Sequence, residues 1–387
     1  PSGPDFTPGT KVQIKAVPEK DYVFKSWSGD VSNADPMKSS IQITMDSSKS
    51  VYAIFVKAAE TVVLNIGESY VHGLKYINGY YFASTQNTPA KLLRFNANDL
   101  SDYSEITFSS GHNSADDLVY TEKTGKIYVV FAADTGLRIA EVDPYTMEFD
   151  ENKIVDMTNF TYSGQTITTD NEFLYVGARY DWYESKIIKY SLSTLSSIPV
   201  KEITLAPLYY GIHSIQYRDG YLYVTGIATP PWVLKVDANT LSVEQEANID
   251  GDTPTDDFAM TEDYLFVGLE TGYNHKKSGV IYRISMNDIS KMHPINTGVK
   301  GGVDKRSGYC YAVQYYLGYV WALFDSSPGT ITRIDPVSLE FKNYQLEHNT
   351  PNEISTDGRR LFITFWGQNP GRVQAFDTSY LNGREIP

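Results

Sequence analysis

The chain has 387 residues, of which 41% are hydrophobic, with 30 Tyr, 28 Gly, 18 Pro, a single Cys and a net charge of −14. That acidity disfavours nucleic acid or an anionic membrane as partner, since both demand positive surface. No apolar run reaches the roughly 18 residues a membrane-spanning helix needs, and the lone Cys310 excludes an intramolecular disulfide. Aromatic, β-branched and turn-forming residues are abundant, and no apolar face at helical spacing persists, so the composition reads as all-β.

The charge is unevenly spread. Residues 1–60 hold seven Lys and seven Asp/Glu, while the rest carries 26 basic and 40 acidic residues. The opening PSGPDFTPGT has neither an initiator Met nor a signal-peptide pattern, and reads as a processed chain or a piece of a larger protein. Strand-like alternation follows in Val12–Val17, Tyr22–Trp27, Ile41–Met45 and Val51–Val56, with Pro8-Gly9, Ser28-Gly29-Asp30 and Asp46-Ser47-Ser48 as turns. Three features stand out: the Pro-Gly-Thr before the first strand, an aromatic-x-x-Trp-Ser-Gly-Asp core, and a closing Met-Asp with Val-x-Ala-x-Phe. In these features the stretch from about residue 7 to 57 resembles the divergent internalin-B-type B-repeat of bacterial and archaeal surface proteins. The resemblance implies an extracellular spacer or adhesive module with no catalytic residues. Such repeats usually begin one strand earlier than this chain does.

From residue 61 onward one unit recurs seven times. Its central strands are YYFAS at 80–84, IYVVF at 127–131, LYVGA at 174–178, LYVTG at 222–226, LFVGL at 265–269, VWALF at 320–324 and LFITF at 361–365. Each is followed by a third strand and a turn of the form Asp/Asn/Ser-x-x-x-Leu, headed by Asn96, Asp143, Ser191, Asp237, Ser285, Asp335 and Asp377. Successive turn heads lie 42 to 50 residues apart, about the length of a four-stranded propeller blade. The side chain heading each turn can accept backbone N–H bonds two or three residues on. The last repeat ends at Leu381 without an outer strand, and Thr61–Ile66 lies unassigned before the first, so pairing the two would close a ring and remove exposed edges. The expected fold is all-β: a small N-terminal β-repeat module over 1–58 and a seven-bladed β-propeller over 59–387. The unit resembles the YVTN-type and quinoprotein-like propellers of secreted prokaryotic proteins. That resemblance, over 61–387, implies the fold and leaves the function open.

Aligned repeats map a surface. Two positions before the core aliphatic of each innermost strand stand His72, Asp116, Gln165, His213, Asp256, Tyr311 and Asn352, and the next position adds Asp117, Asp257 and Glu353. This polar ring at the channel rim suits a cation or an oxygen-rich ligand; it also suits a solvated mouth whose polar groups satisfy one another. On the same face, Trp182, Trp232 and Trp366 with Tyr180, Tyr183, Tyr209, Tyr210 and Tyr273 offer flat rings for a sugar or a protein partner, or a cap folded over strand ends. Trp182 and Trp232, with Tyr183, Tyr209 and Tyr210, make one expected platform between the third and fourth repeats. A longer loop in the fifth repeat, 270–279, is the basic patch of that face. No cofactor is expected. Calcium enters only through the acidic Asp250-Gly-Asp252 and Asp256-Asp257, which lack the spacing of a twelve-residue calcium loop. Walker, Gly-x-Ser-x-Gly and His-Glu-x-x-His motifs are absent from the sequence. The leading expectation is a secreted or cell-surface binding or structural protein whose propeller holds a glycan or a surface protein, or packs with copies of itself. The alternative is a polysaccharide lyase or hydrolase using the rim His and carboxylate groups.

Overall fold

Runs such as Leu222-Tyr-Val-Thr are apolar at consecutive positions, so the strands they form must be covered on both faces. The computed structural model shows how. It describes all residues except 1–5, 20–21, 32–33, 37, 66–69, 110, 134–135, 158–165, 180–183, 227, 229, 251–254, 270–278, 300–307, 368–369 and 387. Among the described residues, seven antiparallel sheets of four or five strands follow one another around a ring. Their innermost strands are Val71–Ile77, His112–Thr121, Thr166–Thr169, Ile212–Arg218, Thr255–Met260, Cys310–Tyr316 and Pro351–Thr356. These define blades 1 to 7. Second strands such as Tyr221–Gly226 and Tyr319–Phe324 are buried at every position after the first. Seven apolar clusters cover them, each shared by two neighbouring blades. Outer strands, such as Val243–Asn248 with no fully buried residue, meet solvent.

Closure occurs as the sequence suggests. Ala59–Val63 pairs antiparallel with Arg372–Asp377, Val63 opposite Arg372 and Ala59 opposite Phe376, and so becomes the outer strand of blade 7. It begins two residues before the expected Thr61. A short strand the sequence did not reveal, Glu385–Ile386, adds a fifth member to the outer edge of blade 6. Cys310 is fully buried at the start of its strand, where a Cβ added to Gly268 would meet its sulfur at 2.6 Å. Before the ring, Thr10–Lys15 pairs with Ser40–Met45 and Tyr22–Gly29 with Val51–Lys57. These two small sheets share a core of Ala16, Trp27, Ile41 and Ile43, and the Trp27 indole donates to the Lys38 carbonyl at 2.9 Å.

The turns behave as their chemistry requires. Asp143 Oδ1 accepts from the N–H groups of Tyr145 and Thr146 at 2.8 and 3.0 Å, and Asp237 and Asp335 repeat the pattern. Met147, Leu241 and Leu339 close these turns at positive φ.

What the turns do for the ring is less obvious. In blades 1, 3, 4, 5 and 6 a cation on the third strand lies over the aromatic ring that opens the second strand, in blade 6 Arg333 over Tyr319 at 4.6 Å. Arg94 covers Tyr80 at 5.0 Å, Lys189 covers Phe173 at 4.0 Å, Lys235 covers Tyr221 at 4.2 Å and Arg283 covers Tyr264 at 4.6 Å. These four then donate to turn carbonyls of the following blade: Arg94 to Pro144 and Tyr145, Lys189 to Ala238, Lys235 to Met286, and Arg283 to Pro336 and Val337. Across the closure, Arg360 of blade 7 reaches the Ala97 carbonyl of blade 1. Blade 2 carries Glu141 at the equivalent position, bonded to Tyr128 Oη at 3.0 Å, and is tied to blade 3 instead by a Lys123–Glu172 ion pair.

Removing the closing strand should therefore cost far more than removing what precedes it. A chain lacking residues 1–64 should lose several kcal/mol against a total on the order of 5–15 kcal/mol, whereas one lacking 1–57 should melt close to the intact protein. Equal melting temperatures for the two truncations would contradict closure by this strand.

Candidate functional site

The innermost strands converge on a central cavity of about 680 Å³ to which all seven blades contribute. Its wall includes His72, Asp116, Asp117, His213, Asp257, Tyr311, Asn352 and Glu353. The aligned positions of the sequence thus meet in space; Gln165 and the Asp256 side chain lie outside the described residues.

Several of these groups have structural partners. Asp117 Oδ2 accepts from Thr166 Oγ1 and from the Ile167 N–H, both at 3.0 Å, linking blade 2 to blade 3. Thr166 Oγ1 in turn accepts from the Ile215 N–H at 3.3 Å. Asp257 accepts from Ser214 Oγ at 3.2 Å and from the Val313 N–H at 3.3 Å, so it touches both neighbouring blades. Asn352 donates to the Val71 carbonyl at 2.9 Å across the closure. Asp116 Oδ1 accepts from Gln86 Nε2 at 3.1 Å and Ser114 Oγ at 2.7 Å. Asp116, Asp117 and Asp257 are, first of all, blade-to-blade clasps.

Sequence reasoning missed Lys75, which also lines the cavity. Its side chain is reached by water yet enclosed by channel walls, and that enclosure works against the ammonium. The carboxylates of Asp117, Asp257 and Glu353 outweigh it and hold the Lys75 pKa above the ordinary lysine value. The signal was present: the residue after the core aliphatic is Lys75 in the first repeat and Val119, Thr168, Gln216, Ala259, Gln314 and Ser355 in the others. One cation stands at a register of neutral residues. Among the described residues, no group of three or more His, Cys, Asp or Glu side chains has a metal-holding arrangement. The acidic stretch considered for calcium includes residues 251–254, outside the described ones.

The aromatic face differs from expectation. Trp232 opens the third strand of blade 4, Trp232–Asp237, and is fully buried instead of standing at a loop tip. Its ring occupies the space where a Cβ on Gly226 would stand, and Tyr209 covers it edge-on at 5.4 Å. In blades 1 and 3 the equivalent position holds a lysine paired with an outer-strand carboxylate, Lys91 with Glu105 at 2.8 Å and Lys186 with Glu202 at 3.0 Å. Blade 4 keeps the carboxylate, Glu246, and replaces the cation by Trp232. Tyr209 Oη compensates by donating to Glu246 at 2.7 Å; burial first, then this bond, pushes its pKa up to about 12. Tyr209 and Tyr210 pack half-buried on the blade 4 core. The platform drawn from Trp182 and Trp232 therefore loses Trp232, while Trp182, Tyr183 and Tyr273 lie outside the described residues. Trp366 does stand open. It is 38% exposed and meets Tyr70, 39% exposed, edge-to-face at 5.1 Å. Tyr70 immediately precedes the innermost strand of blade 1, two residues from His72 on the cavity wall.

Residues 1–59 match the family model of the divergent InlB B-repeat domain. A B-repeat domain is thus followed by a seven-bladed β-propeller. Among solved structures the chain is similar to the WD40 domain of Neurospora crassa Pan2, with a TM-score of 0.55 and 11% identity over 80% of this chain and 89% of that one. A likeness at that identity concerns the fold alone. No curated protein matches the sequence.

Replacing Lys75 by Met should remove the cation on which the Asp117, Asp257 and Glu353 carboxylates act together. The raised Lys75 pKa means its stabilisation is fully present below the ordinary value of 10.5 and is lost only as pH rises beyond it. The Lys75→Met protein should consequently melt well below wild type at pH 7, and the gap should narrow as pH rises past the ordinary lysine value and Lys75 loses its charge. A gap independent of pH would show that Lys75 does not serve these carboxylates.

Proposed function

We propose that the chain is a secreted or cell-surface binding protein in which a B-repeat module, residues 1–58, carries a propeller, residues 59–387, that holds a glycan or a surface protein at its channel mouth. The observation that carries this reading is the exposed Tyr70–Trp366 pair beside the polar cavity. Two crossed rings stay half in water although each offers a large apolar face. Flat rings next to hydrogen-bonding groups suit sugar rings, whose C–H faces stack while their hydroxyls bond, and they suit protein hot spots. His72, His213 and Gln86 supply polar groups on the cavity side. The B-repeat supports a surface location, since the resemblance noted in its residues is to modules of surface proteins. The net charge of −14 favours neutral or cationic partners. An acid–base role for Asp117 and Asp257 is less well supported, because their oxygens are engaged in holding blades together.

The test is binding by the full chain to arrayed glycans and to candidate surface proteins, followed by tryptophan fluorescence. Replacing Trp366 and Tyr70 together by Ala should weaken binding by about two orders of magnitude, as loss of two central aromatic contacts does, while the melting temperature stays nearly constant. Unchanged affinity in the folded double variant would remove this site.

A further inference from the structure

A second cavity, about 300 Å³, lies where the N-terminal module meets blades 6 and 7. Lys25 reaches it from the module; Tyr316, Asp357, Arg359, Arg360 and Asp377 line it from the propeller. Among the described residues, three cations and two carboxylates line the same space, on a chain whose overall balance is strongly acidic.

The two carboxylates are already engaged. Asp357 Oδ1 accepts from the N–H groups of Arg359 and Arg360 at 2.9 and 2.7 Å, and its Oδ2 lies 3.7 Å from Arg360 Nε. Asp377 Oδ1 accepts from the Ser379 N–H at 2.8 Å. The Arg360 guanidinium is less well served. Arg360 is 1% exposed, and while its Nη2 donates to the Ala97 carbonyl, its Nη1 is buried with no hydrogen-bond partner among the described residues. Tyr316 Oη, on the same wall, is likewise buried and unpartnered there. A buried guanidinium donor without an acceptor is costly. Lys25 senses the same imbalance: burial and then the Arg359 charge, reinforced by Arg360, hold its pKa below the ordinary lysine value despite Asp357.

We propose that this cavity binds a small oxyanion, of the phosphate or carboxylate type, that bridges Lys25 of the module to Arg359 and Arg360 of blade 7 and so locks the module against the propeller. The anion supplies the acceptor that Arg360 Nη1 and Tyr316 Oη lack among the described residues. Guanidinium groups suit it because their planar donors match the spacing of oxyanion oxygens. The lock acts on the junction Lys57-Ala58, since Ala58 bonds to Asp377 and the closing strand begins one residue later.

The experiment uses the full chain in chloride buffer at constant ionic strength, titrated separately with inorganic phosphate and with acetate. Melting temperature and the rate of tryptic cleavage after Lys57 are followed together. Phosphate should raise the first and slow the second, both saturating at one concentration. Lys25→Met and Arg359→Gln should each raise that concentration about tenfold, the usual effect of losing one charge-assisted contact. The Lys25→Met protein should fold normally without anion, since it removes a cation that burial and the neighbouring guanidinium groups already disfavour. Saturation by acetate at lower concentration than phosphate supports the site and assigns it to a carboxylate. A melting temperature that climbs linearly with phosphate reflects exclusion of the salt from protein surface and overturns the proposal, as does saturation that neither substitution shifts.

Discussion

Everything in the propeller depends on how one blade is held to the next, and beside the shared apolar clusters the polar interaction that does so most regularly is a cation crossing its own blade's aromatic ring to reach the next blade's turn. Arg94, Lys189, Lys235 and Arg283 occupy equivalent places, and each donates to carbonyls of a turn one blade away. The turn presents those carbonyls because an Asp at its head, as in Asp143 and Asp335, gathers the N–H groups that follow. Local turn chemistry thus becomes ring geometry. The ring gives a cation–aromatic contact, worth about 0.5–2 kcal/mol, a further charge-assisted hydrogen bond at the same place.

Holding the blades at one end brings the innermost strands together at the axis, where Asp117, Thr166 and Asp257 clasp adjacent blades through backbone N–H groups. Carboxylates gathered around one cavity need an opposite charge, and Lys75 provides it. The cavity is polar for structural reasons before it is polar for any ligand. The function proposed above therefore rests on what surrounds the cavity, the open Tyr70–Trp366 pair, more than on the groups within it.

Much of this was legible in the sequence. The turn heads recur because each blade needs one, and the second strands are apolar at consecutive positions because each lies between two neighbours; both signals are local and survive without an alignment. Closure was legible because one strand was missing at one end and one was spare at the other. The rim groups fell into place once the repeats were aligned. Trp232 was misplaced because Pro230-Pro231 reads as a loop, whereas the deciding residue was Gly226: the equivalent position holds Phe131, Phe324 and Phe365 in blades 2, 6 and 7, and a Cβ at Gly226 would already meet the indole. Lys75 is not among the aligned rim residues because it follows the core aliphatic Leu74, whereas they precede theirs. The junction cavity joins Lys25 to Arg359 and Arg360, more than 300 residues away, and no periodicity connects them.

Hydrogen exchange in an Arg283→Met protein tests the blade-to-blade hold most directly. Arg283 belongs to blade 5 but donates to Pro336 and Val337 in the turn of blade 6, while the turn of its own blade is held by Lys235 from blade 4. Exchange at the Val337, Ser338 and Leu339 amides should therefore accelerate by roughly tenfold, the loss of one charge-assisted bond expressed as local opening, while the amides of Asn287 to Ser290 keep their wild-type rates. Equal acceleration in both turns, or acceleration confined to blade 5, would contradict a ring held by cations reaching forward from each blade to the next.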